Sequence, residues 1–278
     1  MKILITGSTG LIGTKIIDLL KNKFEFIELK QPKFDLIDKQ NIINNLSQDF
    51  DLLLHLAAYT NVDGAEKEKE LCRKINVQGV QNLLDIVQLK KKKLIHISTD
   101  FVFDGTNPPY FEDSKSGSIN SDICYYGKTK YEAEQIVKNK AMIVRLSYPY
   151  RQEFSLKSDF VRTIKSLLKK QKEINLVNDS IITPTFINDI VYGLEYLINH
   201  YQPEIYHLVG SSSHTPYEAG QMIAKTFNLN QALIKPISYQ EYFKNKAPRP
   251  IKSIIKSNKN TFYPMSSFSE GLKKILHN

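Results

Sequence analysis

The chain has 278 residues, of which 41% are hydrophobic and 24% charged, and its formal net charge is +9. This length allows a large core with two lobes, and the composition is that of an ordinary globular protein. No apolar run approaches the roughly 20 residues that span a bilayer, and the N-terminus lacks a signal-peptide core, so we expect a cytoplasmic protein without membrane contact. The two cysteines, Cys72 and Cys124, form neither a metal-binding spacing nor a disulfide framework, and we predict no metal.

The positive net charge does not by itself indicate a nucleic-acid partner. Lysine is spread over the whole chain, with one short block at Lys90–Lys93. That block precedes an apolar run, which is typical of a solvated helix end. No stacking-aromatic motif, zinc finger or recognition helix is evident, so we expect no nucleic acid and a surface that helps to steer a phosphorylated substrate.

The first half of the chain alternates buried apolar runs with segments of helical periodicity. Helical spacing is found after the first strand, around Val77–Leu89 and from about Tyr125 to Lys138. This alternation predicts an α/β fold, a Rossmann-type doubly wound parallel sheet with helices on both faces. The predicted strands are Lys2–Thr6, Phe24–Leu29, Asp51–Leu56, Leu94–Ser98 and Met142–Leu146.

After Ser147 the pattern changes to shorter, mixed elements, which predict a smaller α+β substrate-binding lobe. We expect the Rossmann domain to comprise residues 1–147 with a returning segment at about 184–203, and the smaller lobe to comprise 148–183 and 204–278. Asp113–Asp122, rich in serine and charge, is expected to be a mobile loop. The predicted elements are helices at Phe160–Lys170, Phe186–Asn199 and Tyr217–Phe227, strands at Ile174–Leu176 and Tyr206–Val209, and a tail at Ile254–His277.

A glycine turn follows the first predicted strand and opens the first helix. Gly7, Gly10 and Gly13 give the spacing GxxGxxG. Glycines in this context let the backbone turn sharply and let a pyrophosphate approach the free amides of the helix. The turn therefore predicts a dinucleotide cofactor, although a flavodoxin-like protein without nucleotide has a similar turn.

The end of the second strand decides between NAD and NADP. An acidic residue there accepts hydrogen bonds from the ribose 2′-hydroxyl, whereas a basic residue suits a 2′-phosphate. Glu28 is followed by Leu29 and Lys30, and Lys30 is nearer the expected strand tip. We therefore favour NADP over NAD.

Tyr126 and Lys130 stand four residues apart and share one face of the predicted helix, whereas Tyr125 is five residues from Lys130. A tyrosine with a pKa of about 10 needs a shift of about three units, or roughly 4 kcal/mol, to ionise at neutral pH. A close ammonium and a positively charged nicotinamide would supply much of this pKa shift, so the pair predicts a tyrosine proton donor; the alternative is an exposed Tyr/Lys pair.

Ser98 and Thr99 both end the preceding strand, and spacing does not choose which hydroxyl meets a substrate carbonyl.

These residues carry a family likeness. The glycine turn with the Tyr126/Lys130 pair resembles the extended short-chain dehydrogenase/reductases. Three longer runs, Leu56–Glu66, Ser98–Gly105 and Tyr126–Lys130, resemble the AAYTxVDxAE, STDYVFDG and YGxSK segments of the dTDP-4-dehydrorhamnose reductase family. Further runs in the order of that family are Asp35–Asp38, Asn76, Pro109–Glu112, Thr183–Thr185 and Arg249–Pro250.

The resemblance implies NAD(P)H-dependent reduction of the 4-keto group of a nucleotide-activated deoxy sugar, as in dTDP-rhamnose and cell-surface polysaccharide biosynthesis. It also implies a homodimer, since relatives often dimerise. By the same likeness Thr99, Tyr126 and Lys130 are the catalytic residues. The implied cofactor-binding residues are Gly7, Thr9, Gly10, Leu11, Ile12, Gly13, Lys30, Asp35, Leu36, Ile37, Ala57, Ala58, Tyr59, Asn76, Ser98, Tyr126 and Lys130. The implied substrate-binding residues are Val62, Asp63, Thr99, Asp100, Phe101, Tyr126 and Arg249.

The chain departs from the family pattern near the expected sugar site. It has no tryptophan, and Ser147–Tyr150 replaces a tryptophan-bearing segment. Asp159 stands where the family usually has asparagine, and the stretch before Tyr126 is serine-rich where the family has proline. These departures leave the particular sugar open.

Two other functions are compatible with the same motifs. A sugar-nucleotide epimerase or dehydratase retains bound NAD and uses further acid/base residues beside the catalytic threonine; Asp100 follows Thr99, but no adjacent glutamate completes the dehydratase pair. A non-catalytic NADP-binding regulatory protein is the other alternative, because the β subunit of methionine adenosyltransferase is similar to the same reductase family.

Overall fold

The computed structural model describes residues 1–117 and 123–277. Residues 118–122, which fall within the predicted mobile loop Asp113–Asp122, lie outside the described residues. The strands are β1 (Lys2–Thr6), β2 (Glu25–Leu29), β3 (Leu52–His55), β4 (Lys93–Thr99), β5 (Met142–Leu146), β6 (Pro149–Tyr150), β7 (Ile174–Val177), β8 (Thr185–Phe186), β9 (Ile205–His207) and β10 (Ile234–Ile237). The α-helices are α1 (Gly13–Leu20), α2 (Lys39–Asn45), α3 (Val62–Lys67), α4 (Lys69–Arg73), α5 (Gly79–Leu89), α6 (Tyr125–Val137), α7 (Phe160–Lys169), α8 (Ile187–Asn199), α9 (Pro216–Thr226), α10 (Tyr239–Tyr242) and α11 (Phe268–His277).

The main sheet has six parallel strands in the order β2-β1-β3-β4-β5-β9. The strand order reverses between β1 and β3, so the loops after these two strands diverge and leave a crevice at the carboxyl edge of the sheet. This is the predicted doubly wound α/β fold, and the prediction is confirmed.

Alternate residues of the strands enter two separate cores. Ile3 and Ile5 of β1 pack with Ile16 of α1 and Leu194 of α8, while Leu4 packs on the opposite face with residues of α2, α5 and α6. Because both faces are covered, the central strands are largely buried, as in β3, where every residue is buried. Within the described ranges, no helix is long and apolar enough to cross a membrane.

The second half of the chain builds a smaller layer beside this sheet. Strands β7 and β10 pair in parallel, and β6 pairs with β8. Helices α7, α9 and α11 contribute Leu168, Ile223 and Leu272 to a third apolar core, which also holds Tyr150 and Phe268.

Two details of the predicted organisation need correction. The returning segment does not end at about 203, because Ile205–His207 (β9) pairs with β5 and completes the main sheet. The tail Ile254–His277 is not irregular throughout, since α11 occupies its last part. Phe268, Leu272 and Ile275 repeat at helical spacing and are buried, so the signal for this helix was present in the sequence.

Candidate active site

The glycine turn packs against the segment that follows β3. Gly7 has a φ of +67°, and a Cβ atom there would lie 2.8 Å from the amide nitrogen of Ala57. A Cβ atom at Gly13 would lie 2.3 Å from the carbonyl oxygen of Gly7. The N-cap residue of α1, Ile12, makes no side-chain capping hydrogen bond, and the amides of Thr14 and Ile16 donate to the backbone carbonyls of Gly10 and Ile12. The turn is therefore a backbone cradle whose donors suit a diphosphate.

The adenosine end of this cradle carries Lys30, directly after β2. The Lys30 Nζ lies 2.8 Å from a carboxylate oxygen of Glu28, and both side chains are partly exposed. Asp35 accepts a hydrogen bond from the amide of Ile37 at 2.9 Å, so its carboxylate shapes a local turn. Leu36 lies against Gly79 of α5. A basic side chain is thus present at the second strand tip, beside an acidic one.

Asn76 holds the segment after β3 in place. Its side chain accepts from the Tyr59 amide at 2.8 Å and donates to the Tyr59 carbonyl at 3.1 Å and the Thr129 hydroxyl at 3.0 Å. Asn76 lies on a π-helical turn, Lys74–Gln78, and is 1% exposed. Its amide therefore fixes the backbone of the predicted cofactor segment Ala57, Ala58 and Tyr59.

The end of β4 presents Thr99, while Asp100 turns inward. The Thr99 hydroxyl donates to the Asp100 carboxylate at 3.0 Å and accepts from the Phe101 amide at 3.3 Å. The Asp100 carboxylate also accepts from the hydroxyls of Ser147, at 2.8 Å, and Ser253. Burial raises the pKa of Asp100, and these hydroxyls counteract it. Asp100 is 1% exposed, so it orients Thr99 and ties three segments together.

Helix α6 brings Tyr126 beside Thr99. A Cβ atom at Gly127 would lie 2.4 Å from the Phe101 carbonyl, so only glycine lets the first turn of α6 approach the end of β4 this closely. The Phe101 ring meets the Tyr126 ring edge-on at 5.6 Å. Burial and the nearby Asp100 raise the pKa of Tyr126, and a hydrogen bond with Thr99 acts in the opposite direction. The structure therefore packs Tyr126 against the residues that follow Thr99, whereas the buried hydroxyl of Ser98 has no hydrogen-bond partner among the described residues.

The pKa of Tyr126 shifts in the direction opposite to the sequence prediction. The prediction was that Lys130 lowers it, but desolvation of the phenolate dominates in the structure. The Lys130 Nζ instead donates to the carbonyl of Ile97 at 2.8 Å and lies 3.1 Å from Nε2 of His96. Burial lowers the pKa of Lys130 to about 8. The phenol thus keeps its proton at neutral pH.

Other predicted substrate residues meet at the rim of the crevice. Val62 packs in the same apolar cluster as Phe101 and Tyr126. Arg249 Nη1 lies 2.9 Å from a carboxylate oxygen of Asp63, which also accepts from the Ala247 amide at 3.0 Å. The ion pair joins α3 to the segment after α10.

The departures from the family pattern have two different structural outcomes. Asp159 caps α7, accepting from the Arg162 amide at 2.9 Å and pairing with its Nε at 2.7 Å, so its role is local. Tyr148, at the tryptophan-bearing segment, has a φ of +38°. Burial raises the pKa of Tyr148, and the charges of Asp100 and Arg249 act on its phenol, which puts it at the crevice.

Sequence reasoning missed His96 as a residue of this site, and it placed Tyr148 near the sugar only as part of the departing segment Ser147–Tyr150. The signal for His96 was a polar side chain in the middle of the apolar strand Lys93–Thr99. The signal for Tyr148 was the aromatic residue in the departing segment.

A parallel sheet with a glycine turn at its switch point, a threonine at the end of β4 and a Tyr/Lys pair on the following helix α6 is typical of an extended short-chain dehydrogenase/reductase. All 278 residues match the family model described as the RmlD substrate binding domain. The chain belongs to this family, and the resemblance found in the sequence is confirmed.

Individual relatives cover almost the whole chain. The solved dTDP-4-dehydrorhamnose reductase of Bacillus anthracis, in complex with NADP, is 32% identical with a TM-score of 0.90, covering 99% of this chain and 98% of its own. The dTDP-4-dehydrorhamnose reductase of Mycolicibacterium smegmatis is 28% identical over 98% of this chain and 84% of its own length. Methionine adenosyltransferase 2 subunit beta of Xenopus laevis is 29% identical over 89% and 78%.

Proposed function

We propose that the protein is an NADPH-dependent reductase of the 4-keto group of a nucleotide-activated deoxy sugar. The observation that carries the proposal is the position of Tyr126 on α6, which Gly127 and Phe101 pack against the end of β4 where Thr99 lies, in a chain similar over nearly its full length to dTDP-4-dehydrorhamnose reductases. The solved relative that contains NADP supports NADP as the cofactor. The residues of the turn fit a dinucleotide, because Gly7 and Gly13 let the backbone fold tightly on itself and on Ala57, where a Cβ atom would clash.

NADPH supplies the hydride in this reaction. When substrate binds, Thr99 turns its single hydroxyl proton from the Asp100 carboxylate to the C4 carbonyl oxygen of the sugar. Tyr126 protonates the alkoxide that forms there, and its raised pKa ensures that the phenol carries this proton. No step requires a metal.

Lys130 acts as the cation beside this centre. Its ammonium stabilises the phenolate left after proton transfer and holds the nicotinamide ribose. Lys30 meets the 2′-phosphate of NADP, and the rest of the cradle is lined by the residues that the family likeness implies. The segments 148–183 and 208–278 form the substrate-binding lobe in this proposal, with Arg249 and Asp63 at its contact with the nucleotide-binding part.

The proposed biological role is dTDP-rhamnose synthesis for cell-surface polysaccharide, in the cytoplasm. A homodimer is part of the same proposal. Cell fractionation tests the location, and light scattering on the purified protein tests the oligomeric state.

The test is NADPH oxidation with dTDP-4-dehydrorhamnose and other 4-keto sugar nucleotides. We expect turnover by the native protein and a loss of about 100- to 10,000-fold in Tyr126→Phe, since the general acid is removed. NADPH affinity should stay nearly constant because the phenyl ring remains. Tyr125→Phe, one residue away, is the matched control and should keep its turnover.

Other outcomes would favour the rival functions. An epimerase or dehydratase would be indicated if the protein purified with tightly bound NAD⁺ and converted the sugar nucleotide without net NADPH oxidation. NADPH binding without oxidation of any sugar nucleotide would indicate a regulatory binding protein. Undiminished turnover in Tyr126→Phe would contradict the role of the tyrosine.

A further inference from the structure

A row of polar side chains crosses the apolar sheet on the face covered by α5 and α6. Thr6 of β1 pairs in register with His55 of β3, and His55 pairs with His96 of β4. All three are at most 2% exposed. Buried polar groups in a strand core cost free energy unless they are hydrogen-bonded, so their presence calls for a reason.

The row ends at Lys130. His55 Nδ1 lies 2.7 Å from the Thr6 hydroxyl, the two imidazole centroids are 5.4 Å apart, and His96 Nε2 lies 3.1 Å from Lys130 Nζ. An ammonium has only donors, so His96 Nε2 must accept and the ring proton must sit on Nδ1. Among the described residues, neither His96 Nδ1 nor His55 Nε2 has a hydrogen-bond partner, although both are buried. The imidazole of His96 is therefore committed to Lys130.

A neutral acceptor is the group best suited to this place. A carboxylate would pair with the ammonium and cancel its positive charge, which in the proposed function stabilises the Tyr126 phenolate after proton transfer. An apolar side chain would leave the ammonium short of a hydrogen-bond partner. Imidazole supplies the acceptor and no charge. Burial keeps it neutral, because it lowers the pKa of His96 well below its usual value and that of His55 to about 3, with the Lys130 charge adding to both shifts.

We propose that His96 is a positioning residue for the reduction: its Nε2 holds the Lys130 ammonium on the face of α6 that also carries Tyr126, without adding a negative charge, and the His55 ring packs against the His96 ring. The proposal rests on the function proposed above. The other ionisable groups around Lys130 do not take over this role. Glu134 of α6 binds Arg145 at 2.7 Å and 2.9 Å, Cys72 of α4 is a buried thiol with a raised pKa, and Asp100 binds hydroxyl groups.

The experiment compares the pH dependence of the NADPH Kd and of kcat/KM in the native protein, His96→Leu and His96→Gln. The Lys130 cation is present below its pKa of about 8 and lost above it. In His96→Leu the pH midpoint of the loss of activity and affinity on the alkaline side should fall by about one to two pH units. This shift corresponds to the free energy of one hydrogen bond to a charged group. His96→Gln offers an amide oxygen as acceptor and should recover most of the shift. His207→Leu is the control, since His207 is buried on the same sheet face but contacts Arg145.

Two further measurements keep the outcomes separate. In a Lys130→Arg background, where the guanidinium stays charged, His96→Leu should no longer move the midpoint; an equal shift there would overturn the proposal. The NADPH Kd does not need a sugar substrate, so the test stands even if the panel of sugar nucleotides shows no turnover. If His96→Leu does not fold, an NMR titration of the Lys130 ¹³Cε signal in the native protein and in His96→Gln replaces that variant. A Lys130 titration midpoint equal to that of free lysine would also refute the proposal.

Discussion

Tyr126 and Lys130 share one face of α6 and are both buried, and burial moves their pKa values in opposite directions. It raises the pKa of the phenol and lowers that of the ammonium to about 8, because the charged form is disfavoured in each case. The tyrosine is therefore a ready donor at neutral pH. The lysine is charged under the same conditions but loses its proton within the range in which enzymes are assayed.

This shift predicts how stability depends on pH. Between about pH 8 and 10 the unfolded chain binds more protons at Lys130 than the native protein, so the unfolding free energy should rise with pH. Relative to Lys130→Met, the native protein should gain roughly 2–3 kcal/mol over this range, as an upper limit. Urea unfolding of both proteins at several pH values measures the difference. A difference that stays constant, or that falls with rising pH, would contradict the lowered pKa.

The three catalytic residues that the sequence predicted lie on two consecutive elements of the chain. Tyr126 and Lys130 lie on one helix, and Thr99 ends the preceding strand, so spacing and family likeness were sufficient to select them. His96 reaches Lys130 across the sheet, and Tyr148 reaches Asp100 from another strand end. Such contacts depend on register between distant strands, which periodicity does not specify.

A buried ion pair connects β5 to α6. Arg145 binds both carboxylate oxygens of Glu134, at 2.9 Å and 2.7 Å, and both side chains are at most 2% exposed. The guanidinium also lies over the Phe103 ring at 4.9 Å and contacts His207. The pair thus fixes the helix that carries the tyrosine against the sheet.

Breaking this pair from one side should be costly. Glu134→Leu leaves the guanidinium buried without its counter-charge, and we expect a loss of about 3–5 kcal/mol of unfolding free energy. Glu134→Leu combined with Arg145→Met should recover much of that loss, since both charges are removed. Denaturant unfolding of the two single variants and the double variant gives the coupling. Additive losses would show that the pair contributes no mutual stabilisation.

The elements themselves were predicted best where burial on both faces made the pattern strong. Strands β1 and β5 agree with their predicted bounds, Lys2–Thr6 and Met142–Leu146. Strand β9 was displaced from Tyr206–Val209 to Ile205–His207, because it is short and its neighbouring residues are equally apolar. The short helices α3 and α4 had no apolar periodicity long enough to be recognised.

At the scale of the whole molecule, the smaller lobe touches the nucleotide-binding part around the crevice. Arg151 donates to the carbonyl of Leu11 at 3.0 Å, and Lys157 donates to the hydroxyl of Thr60 at 2.9 Å. Arg249 adds its ion pair with Asp63. These three contacts are all made by basic side chains of the smaller lobe, and the chain as a whole carries a net charge of +9.

This charge predicts a salt dependence of catalysis. NADPH and a nucleotide sugar are both anionic, so a positive protein should draw them in at low ionic strength. We expect kcat/KM for the sugar to fall several-fold between about 10 and 150 mM salt, over which the Debye length shrinks from about 30 to 8 Å. Stopped-flow binding at matched viscosity separates this effect from diffusion. A kcat/KM that does not change with salt would exclude electrostatic steering.

The left-handed backbone of Tyr148 has a consequence for altering specificity. A bulky residue at a φ of +38° carries a conformational penalty of about 1–3 kcal/mol that glycine would avoid. The chain nevertheless keeps a phenol there, within the electrostatic reach of Asp100 and Arg249. We therefore expect position 148 to influence which sugar is accepted, and a randomised library at this codon, screened with different 4-keto sugar nucleotides, tests that expectation.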